Sequence, residues 1–119
     1  MKYLDTYILA EIAEGNKKYF CYIEEDFILT DLTLAEFYWV LLRDTNPEVA
    51  DYWFQKLRVY AVIISAEMMI EAMRFRRLHK QKDLSFFDCI GYVYACKNNI
   101  PFVTGDMQFE KMKNVEFRK

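Results

Sequence analysis

Apolar and polar positions divide the chain into two kinds of alternating segment. Short runs rich in β-branched and aromatic residues are typical of buried strands, and longer runs with apolar residues every three or four positions indicate helices. The predicted strands are Lys2–Asp5, Phe27–Thr30, Val59–Ile64, Pro101–Thr104 and Val115–Phe117. The predicted helices cover residues 6–14, 17–25, 32–43, 47–57, 66–79, 85–98 and 107–112.

This alternation predicts an α/β fold, with three α/β/α layers around a mainly parallel central sheet. The segments between the strands mostly reach the dozen or so residues that parallel connections need. With only three glycines and two prolines in 119 residues, a turn-rich small β-barrel is disfavoured. The length predicts a single domain, residues 1–119. Ligands of such a sheet bind beyond the carboxyl ends of its strands.

Charge and cysteine content narrow the classes of function. Residues 1–60 carry eleven acidic and six basic side chains, and residues 61–119 carry seven and ten. A uniformly basic nucleic-acid binder is therefore excluded, although a local basic patch is not. One histidine and three cysteines without a CxxC pair disfavour a zinc site. Because no signal peptide and no run of about 18 apolar residues is visible, we expect a soluble cytoplasmic protein without a membrane partner.

Four acidic residues are expected at the functional edge of the sheet. Asp5 and Asp106 follow predicted strands, whereas Glu36 and Asp88 stand in the first turns of predicted helices, within apolar surroundings. An acid in such surroundings is costly to bury unless a cation compensates its charge. Carboxylate oxygens are ligands that hard divalent ions such as Mg²⁺ or Mn²⁺ prefer.

Each acid by itself also has an ordinary structural explanation. Asp5 can cap the following helix. Thr33–Glu36 and Ser85–Asp88 both fit the capping-box pattern, and Gly105-Asp106 fits a simple turn. These explanations do not account for four acids converging on one edge of a sheet, and this conjunction favours a site.

Four motifs in this order resemble the PIN-domain family of metal-dependent nucleases, over essentially the whole chain. They are Leu4-Asp5-Thr6, Thr33-Leu34-Ala35-Glu36-Phe37, Leu84-Ser85-Phe86-Phe87-Asp88-Cys89-Ile90-Gly91 and Val103-Thr104-Gly105-Asp106-Met107-Gln108-Phe109. The short chain looks most like the VapC-type toxin ribonucleases of VapBC toxin–antitoxin systems.

The resemblance implies an endoribonuclease that uses Mg²⁺ or Mn²⁺ to hydrolyse RNA phosphodiester bonds. The implied catalytic and metal-binding residues are Asp5, Glu36, Asp88 and Asp106. We expect Asp5 and Asp88 to bind the main ion directly and the other two acids to complete the cluster. Thr6 and Thr104 are expected to orient the carboxylates through hydrogen bonds.

A basic run follows the 66–79 helix. It consists of Arg74, Arg76, Arg77, Lys80 and Lys82, without an intervening acid. One interpretation is a solvated helix end whose cations favour the helix dipole. The other is a surface that contacts RNA phosphates beside Asp88.

Aromatic side chains suggest protein partners. The 32–43 helix is apolar on nearly every face, and Tyr52, Trp53 and Phe54 follow it. A domain of this size has little interior to bury them all, so we expect a homodimer. The resemblance adds an antitoxin, whose Arg or Lys would reach the acidic cluster. The alternatives are a catalytically silent PIN-like module that binds RNA or protein, and a plain oligomeric scaffold; four intact acids favour the enzyme.

Overall fold

A computed structural model describes residues 1–119 as one five-stranded sheet flanked by six α-helices. The strands are β1 (Lys2–Leu4), β2 (Phe27–Thr30), β3 (Ala61–Val62), β4 (Phe102–Thr104) and β5 (Val115–Phe117). The helices are α1 (Thr6–Ala13), α2 (Cys21–Glu24), α3 (Asp31–Asp44), α4 (Pro47–Leu57), α5 (Ala66–Leu78) and α6 (Phe86–Lys97). Short 3₁₀ helices cover Lys17–Tyr19, Arg58–Tyr60 and Met107–Phe109. None of the helices has the length and apolar character needed to cross a membrane.

All neighbouring strands run parallel, in the order β3-β2-β1-β4-β5. The chain moves outward from β1 through β2 to β3 and then returns to β4 on the other side of β1. Right-handed connections that reverse direction in this way place helices on opposite faces of the sheet. The predicted three-layer α/β fold with a parallel sheet is thus confirmed. The reversal beside β1 is the position where open parallel sheets bind ligands.

The core is built around β1, the middle strand. Tyr3 and Leu4 are fully buried, as are Phe102 and Val103 on the adjacent β4. Strands covered on both faces read as continuous apolar runs, which is why these strands were visible in the sequence. Helix α6 packs closely against them at Gly91, where a Cβ atom would lie 3.0 Å from Cε1 of Tyr3.

Helix α3 begins earlier than its sequence pattern indicated. Thr30 is its N-cap, and the Thr30 hydroxyl accepts a hydrogen bond from the backbone N–H of Thr33. The buried Tyr3 hydroxyl contacts the hydroxyls of Thr30 and Thr33 at 3.0 and 2.7 Å. The alternative explanation of Glu36 as part of a capping box with Thr33 is therefore wrong, and Glu36 has no capping role.

Other predicted elements are shorter or divided: the helix predicted over 17–25 is a 3₁₀ turn at Lys17–Tyr19 followed by the short α2. The strand predicted over 59–64 is reduced to Ala61–Val62, preceded by a 3₁₀ turn, and Val59 and Ile63 are 78% and 88% exposed. Val59 lies in that turn and Ile63 follows the last residue of β3, so neither belongs to the strand, which pairs with β2 only. The helix predicted over 107–112 is a single 3₁₀ turn at Met107–Phe109.

Candidate active site

Three carboxylates converge beyond the carboxyl ends of the central strands. Ligand oxygens of Asp5, Glu36 and Asp88 all lie within 4.8 Å of one another. Oxygens on opposite sides of one Mg²⁺ ion are about 4 Å apart, since each lies about 2.1 Å from the metal. A small side-chain adjustment would therefore let one ion contact all three. We call these three residues the acidic triad.

Asp5 is held at the end of β1 by the neighbouring strand. Its side chain is almost completely buried, and its Oδ2 accepts a hydrogen bond of 2.7 Å from the Thr104 hydroxyl at the end of β4. The same hydroxyl accepts the backbone N–H of Asp106 at 3.0 Å. Asp5 also occupies the N-cap position of α1, but its side chain makes no capping hydrogen bond. Its carboxylate is thus directed into the cluster.

Glu36 reaches the triad from the second turn of α3. The Thr6 hydroxyl, at the start of α1, donates to its Oε1 at 2.5 Å. This bond joins two helices that pack against each other next to the sheet edge. Thr6 and Thr104 therefore each hold one carboxylate of the triad.

Asp88 combines the two roles that the sequence left open. It forms a capping box with Ser85: the Ser85 N–H donates to Asp88 Oδ2 at 2.9 Å, and the Asp88 N–H donates to Ser85 Oγ at 3.1 Å. The capping box fixes the orientation of the side chain and engages only one carboxylate oxygen. The other oxygen remains available as a ligand.

The triad has no positive charge of its own. Burial raises the pKa of Asp5 to about 8, with further contributions from the charges of Asp88 and Glu36. Burial also raises the pKa of Glu36 and of Asp88. No member belongs to any ion pair in the structure. An all-oxygen donor set that forms no ion pair fits a hard divalent cation such as Mg²⁺ or Mn²⁺.

Asp106 stands at the rim rather than in the triad. Its Oδ1 accepts the backbone N–H of Gln108 at 2.9 Å, so the turn chemistry considered from the sequence is present. It lines the same cavity as the triad, and its charge contributes to the raised pKa of Asp88. Of the four predicted acids, the structure brings three within reach of one ion and leaves the fourth beside them.

The cavity that contains the triad has a volume of about 350 Å³. Four of its lining residues were not identified from the sequence: Tyr7, Gly105, Met107 and Lys119. A Cβ atom at Gly105 would collide with the Tyr7 ring and lie 2.6 Å from the Arg118 carbonyl oxygen. Gly105 and Met107 could have been expected at the cavity from the sequence, because they flank the predicted site residue Asp106. No local signal marks Lys119, because only the β4–β5 pairing brings it to the site.

None of the five predicted basic residues lines this cavity. Two of them hold the α5–α6 connection: Arg76 Nε donates to the Leu84 carbonyl, and Lys82 Nζ donates to the Gln108 carbonyl, both at 3.1 Å. The other three line a separate hollow, together with Leu78. The five basic residues therefore do not form one patch beside Asp88. Arg76 and Lys82 hold the α5–α6 connection, and the other three line the separate hollow.

Replacing Thr104 tests how far the hydrogen bond to Asp5 orders the triad. We expect Thr104→Val to weaken Mn²⁺ binding by about tenfold, the lower end of the effect seen when a group that orients a metal ligand is removed. Thr104→Ser retains the hydroxyl and should bind Mn²⁺ almost as well as the unmodified protein. Titration calorimetry on both variants measures this. Equal Mn²⁺ affinity for Val and Ser at position 104 would contradict the orienting role.

The fold has close structural neighbours of low sequence identity. The crystal structure of the Mycobacterium tuberculosis toxin VapC20, which cleaves the sarcin–ricin loop, is similar with a TM-score of 0.83 and 18% identity over 100% of both chains. A toxin–antitoxin complex from Klebsiella pneumoniae has a TM-score of 0.77 and 16% identity, covering 98% of this chain and 96% of that one. VapBC2 from Rickettsia felis, bound to a DNA fragment from its promoter, has a TM-score of 0.74 and 19% identity, covering 99% and 98%.

The sequence also matches one family model across almost its whole length. No curated protein matches the chain significantly. The model of the PIN domain, in contrast, matches residues 2–115 and includes all three acids of the triad and Asp106. Fold, site position and family model agree, and the chain belongs to the PIN domain family.

Proposed function

We propose that residues 1–119 form a single nuclease domain that hydrolyses RNA with the help of Mg²⁺ or Mn²⁺ and acts as the toxin of a VapBC-type toxin–antitoxin pair. The observation that carries the proposal is the acidic triad, one buried and two half-buried carboxylates that form no ion pair at the reversal point of the sheet. Its position in a PIN domain supports nuclease chemistry. The described cleavage of the sarcin–ricin loop by VapC20 supports RNA as the substrate class.

The triad would hold the ion, with Asp5 and Asp88 as the principal ligands. When bound, a divalent ion would offset negative charge on the scissile phosphate and lower the pKa of a water molecule, so that a hydroxide nucleophile is available at neutral pH. Thr6 and Thr104 keep the carboxylates oriented through their hydroxyl groups. Asp106 is proposed to act as the fourth acid, from the rim of the cavity. No cysteine, serine or histidine nucleophile is required.

Cleavage of single-stranded RNA in the presence and absence of metal tests the proposed activity. We expect cleavage with Mg²⁺ or Mn²⁺, its loss in EDTA, and its return when excess metal is added. Cleavage that persists in EDTA would contradict the metal-dependent mechanism. RNA binding without cleavage under any metal would instead favour the catalytically silent PIN-like module.

We place the activity in the cytoplasm. All three cysteines are free thiols, which suits a reducing compartment.

The groove between α3 and α4 is the proposed docking surface for an antitoxin. Its volume is about 650 Å³. It is lined by Asp31, Leu34, Ala35, Tyr38, Asp51, Phe54 and Gln55. Asp31 Oδ1 is buried there without a hydrogen-bond partner, which favours an incoming segment with an apolar face and an Arg or Lys. The toxin–antitoxin complexes among the structural neighbours support such a partner.

Co-expression with the product of the neighbouring reading frame tests this docking surface. We expect Asp31→Asn to weaken co-purification of that product and Asp44→Asn, on the exposed end of α3, to leave it unchanged. Equal recovery with both variants would place the antitoxin elsewhere.

Exposed aromatic side chains support the proposed homodimer. Trp39 on α3 and Tyr52 on α4 are 60% and 59% exposed, although both helices also bury apolar residues in the core. Large aromatic side chains at a surface are enriched in protein interfaces. We expect light scattering at micromolar concentration to give twice the 14.4 kDa chain mass, and Trp39→Glu to shift it towards the monomer. A monomer for the unmodified protein would refute the dimer.

A further inference from the structure

A hollow lined by positive charge lies at the end of α5. Arg74, Arg77 and Lys80, together with the exposed Leu78, line this hollow of about 600 Å³. The side chains of these three basic residues make no hydrogen bond within the protein and belong to none of its ion pairs. We call this feature the basic hollow.

The basic hollow differs from an ordinary solvated helix end. Cations near the C-terminus of a helix are favoured by its dipole, and this accounts for basic residues in the last turn of α5. It does not account for three unpaired cations around one concave surface. Arg74 also borders a neighbouring hollow that contains Glu67 and Glu71, and Glu71 is already paired with Lys97. Arg77 and Lys80 do not line that second hollow. They are therefore the principal charges of the basic hollow.

The basic hollow lies at the same edge of the molecule as the acidic triad. Helices α5 and α6 run antiparallel, since Glu71 pairs with Lys97 near one end and Phe75 packs against Tyr92 nearer the other. The C-terminal end of α5 is thus beside the start of α6, which carries Asp88. The connection between the helices is tied to the site, because Lys82 donates to the Gln108 carbonyl.

Gln108 in turn donates its backbone N–H to Asp106. These hydrogen bonds connect Asp106, at the rim of the cavity of the triad, to Lys82, which follows Lys80 of the basic hollow by two residues.

We propose that the basic hollow binds backbone phosphates of an RNA strand whose scissile bond lies in the cavity of the acidic triad. This inference rests on the proposed function. Guanidinium groups bind phosphate oxygens in pairs, and a lysine adds a mobile point charge. An acidic protein segment is a less suitable occupant, because Lys82 and Gln108 connect the α5–α6 turn beside the hollow to the rim of the proposed RNA site. The basic hollow contributes to affinity for long RNA and takes no part in bond cleavage.

The proposal predicts that binding depends on the length of the RNA. An RNA of about 4 nucleotides fills one short binding site, whereas one of about 16 nucleotides extends well beyond it. Each phosphate contact on a single strand contributes about 0.7 to the slope of log affinity against log salt concentration. Removing two contacts therefore lowers that slope by about 1.4 for the long RNA only.

The test compares Arg77→Gln/Lys80→Gln with Lys17→Gln/Lys111→Gln, a control that removes the same charge from exposed lysines outside the basic hollow. We expect the first double variant to raise KM for the long RNA about tenfold at low salt with kcat unchanged, because two phosphate contacts are lost. The melting temperature should fall only slightly, since Arg77 also lies in the last turn of α5, where the helix dipole favours a cation. The short RNA should be cleaved equally by all three proteins. The control should retain both the KM and the salt slope.

Three results would overturn the proposal. An unchanged KM and salt slope for long RNA would remove the basic hollow from the RNA path. An equal loss in the control would assign the effect to net charge. Loss of binding to an acidic protein partner with unchanged RNA binding would identify the other occupant. If the unmodified protein cleaves no RNA with any metal, the proposed function fails, and fluorescence anisotropy of long and short RNA on the same variants still decides whether the basic hollow binds RNA.

Discussion

Asp5→Asn is expected to reduce RNA cleavage by about 100-fold or more, since the ion that Asp5 is proposed to hold would contribute several kcal/mol to stabilising charge in the transition state. The same substitution should make the metal-free protein more stable. Folding raises the pKa of Asp5 from 3.8 to about 8, so its charged form is disfavoured in the folded state. Metal-free stability is then highest below the ordinary pKa and falls as the pH rises towards 8.

Asparagine carries no charge and removes this loss. At pH 8 we expect a gain of about 2–4 kcal/mol in the free energy of unfolding. Each unit by which folding raises the pKa corresponds to about 1.4 kcal/mol, and local relaxation around the charged carboxylate reduces the total cost. Urea unfolding at pH 5 and pH 8 in EDTA measures the effect. Asp26→Asn, an exposed acid outside the cavity, is the control and should change neither activity nor stability. A destabilised Asp5→Asn protein at pH 8 would contradict the electrostatic account of the triad.

Binding of Mn²⁺ is expected to release protons near neutral pH. The raised pKa of Asp5 keeps a proton in the triad at pH 7, and a metal ion can bind only when the carboxylates are deprotonated. About one proton per ion should be released at pH 7 and almost none above pH 9. Affinity for Mn²⁺ should accordingly fall as the pH is lowered from 8 to 5, because protons compete with the ion for Asp5, Glu36 and Asp88.

Calorimetry in two buffers with different ionisation enthalpies measures the number of released protons. We expect different heats in the two buffers at pH 7 and similar heats above pH 9. Asp5→Asn should bind Mn²⁺ weakly and release fewer protons. Equal heats at pH 7 for the unmodified protein would show that its acids are already ionised, and the triad would then not be the coupled cluster described above.

Local pattern was sufficient where one stretch of chain determines the outcome. Strand β2 was predicted with its observed limits, because the apolar run Phe27–Leu29 is followed by the β-branched Thr30 and then by the charged Asp31. The capping box of Ser85 and Asp88 was likewise readable, since its partners are three residues apart. The acids themselves stood out as charges within apolar surroundings.

The local sequence pattern gave wrong predictions where contacts between distant segments determine the limits of an element and the burial of its side chains. Val59 and Ile63 have the side chains of a buried strand, yet they are exposed, because Val59 lies in the 3₁₀ turn Arg58–Tyr60 and Ile63 follows the last residue of β3. The apparent capping box at Thr33–Glu36 failed for a related reason. The Thr30 side chain, which contacts Tyr3 on the neighbouring strand, caps α3 three residues earlier.

By itself, the sequence determined the α/β class, the family resemblance and the four candidate acids, because these depend on residue type, order and spacing. Only the tertiary structure decided which acids converge. Asp5 is oriented by Thr104, 99 residues away, and Asp106 is turned to the rim by its bond to Gln108. The tertiary structure also places Lys119 at the cavity and separates Arg77 and Lys80 from Arg76 and Lys82. The physical reason is that the direction of a side chain depends on its hydrogen-bond partners, and strand order brings those partners together from distant parts of the chain.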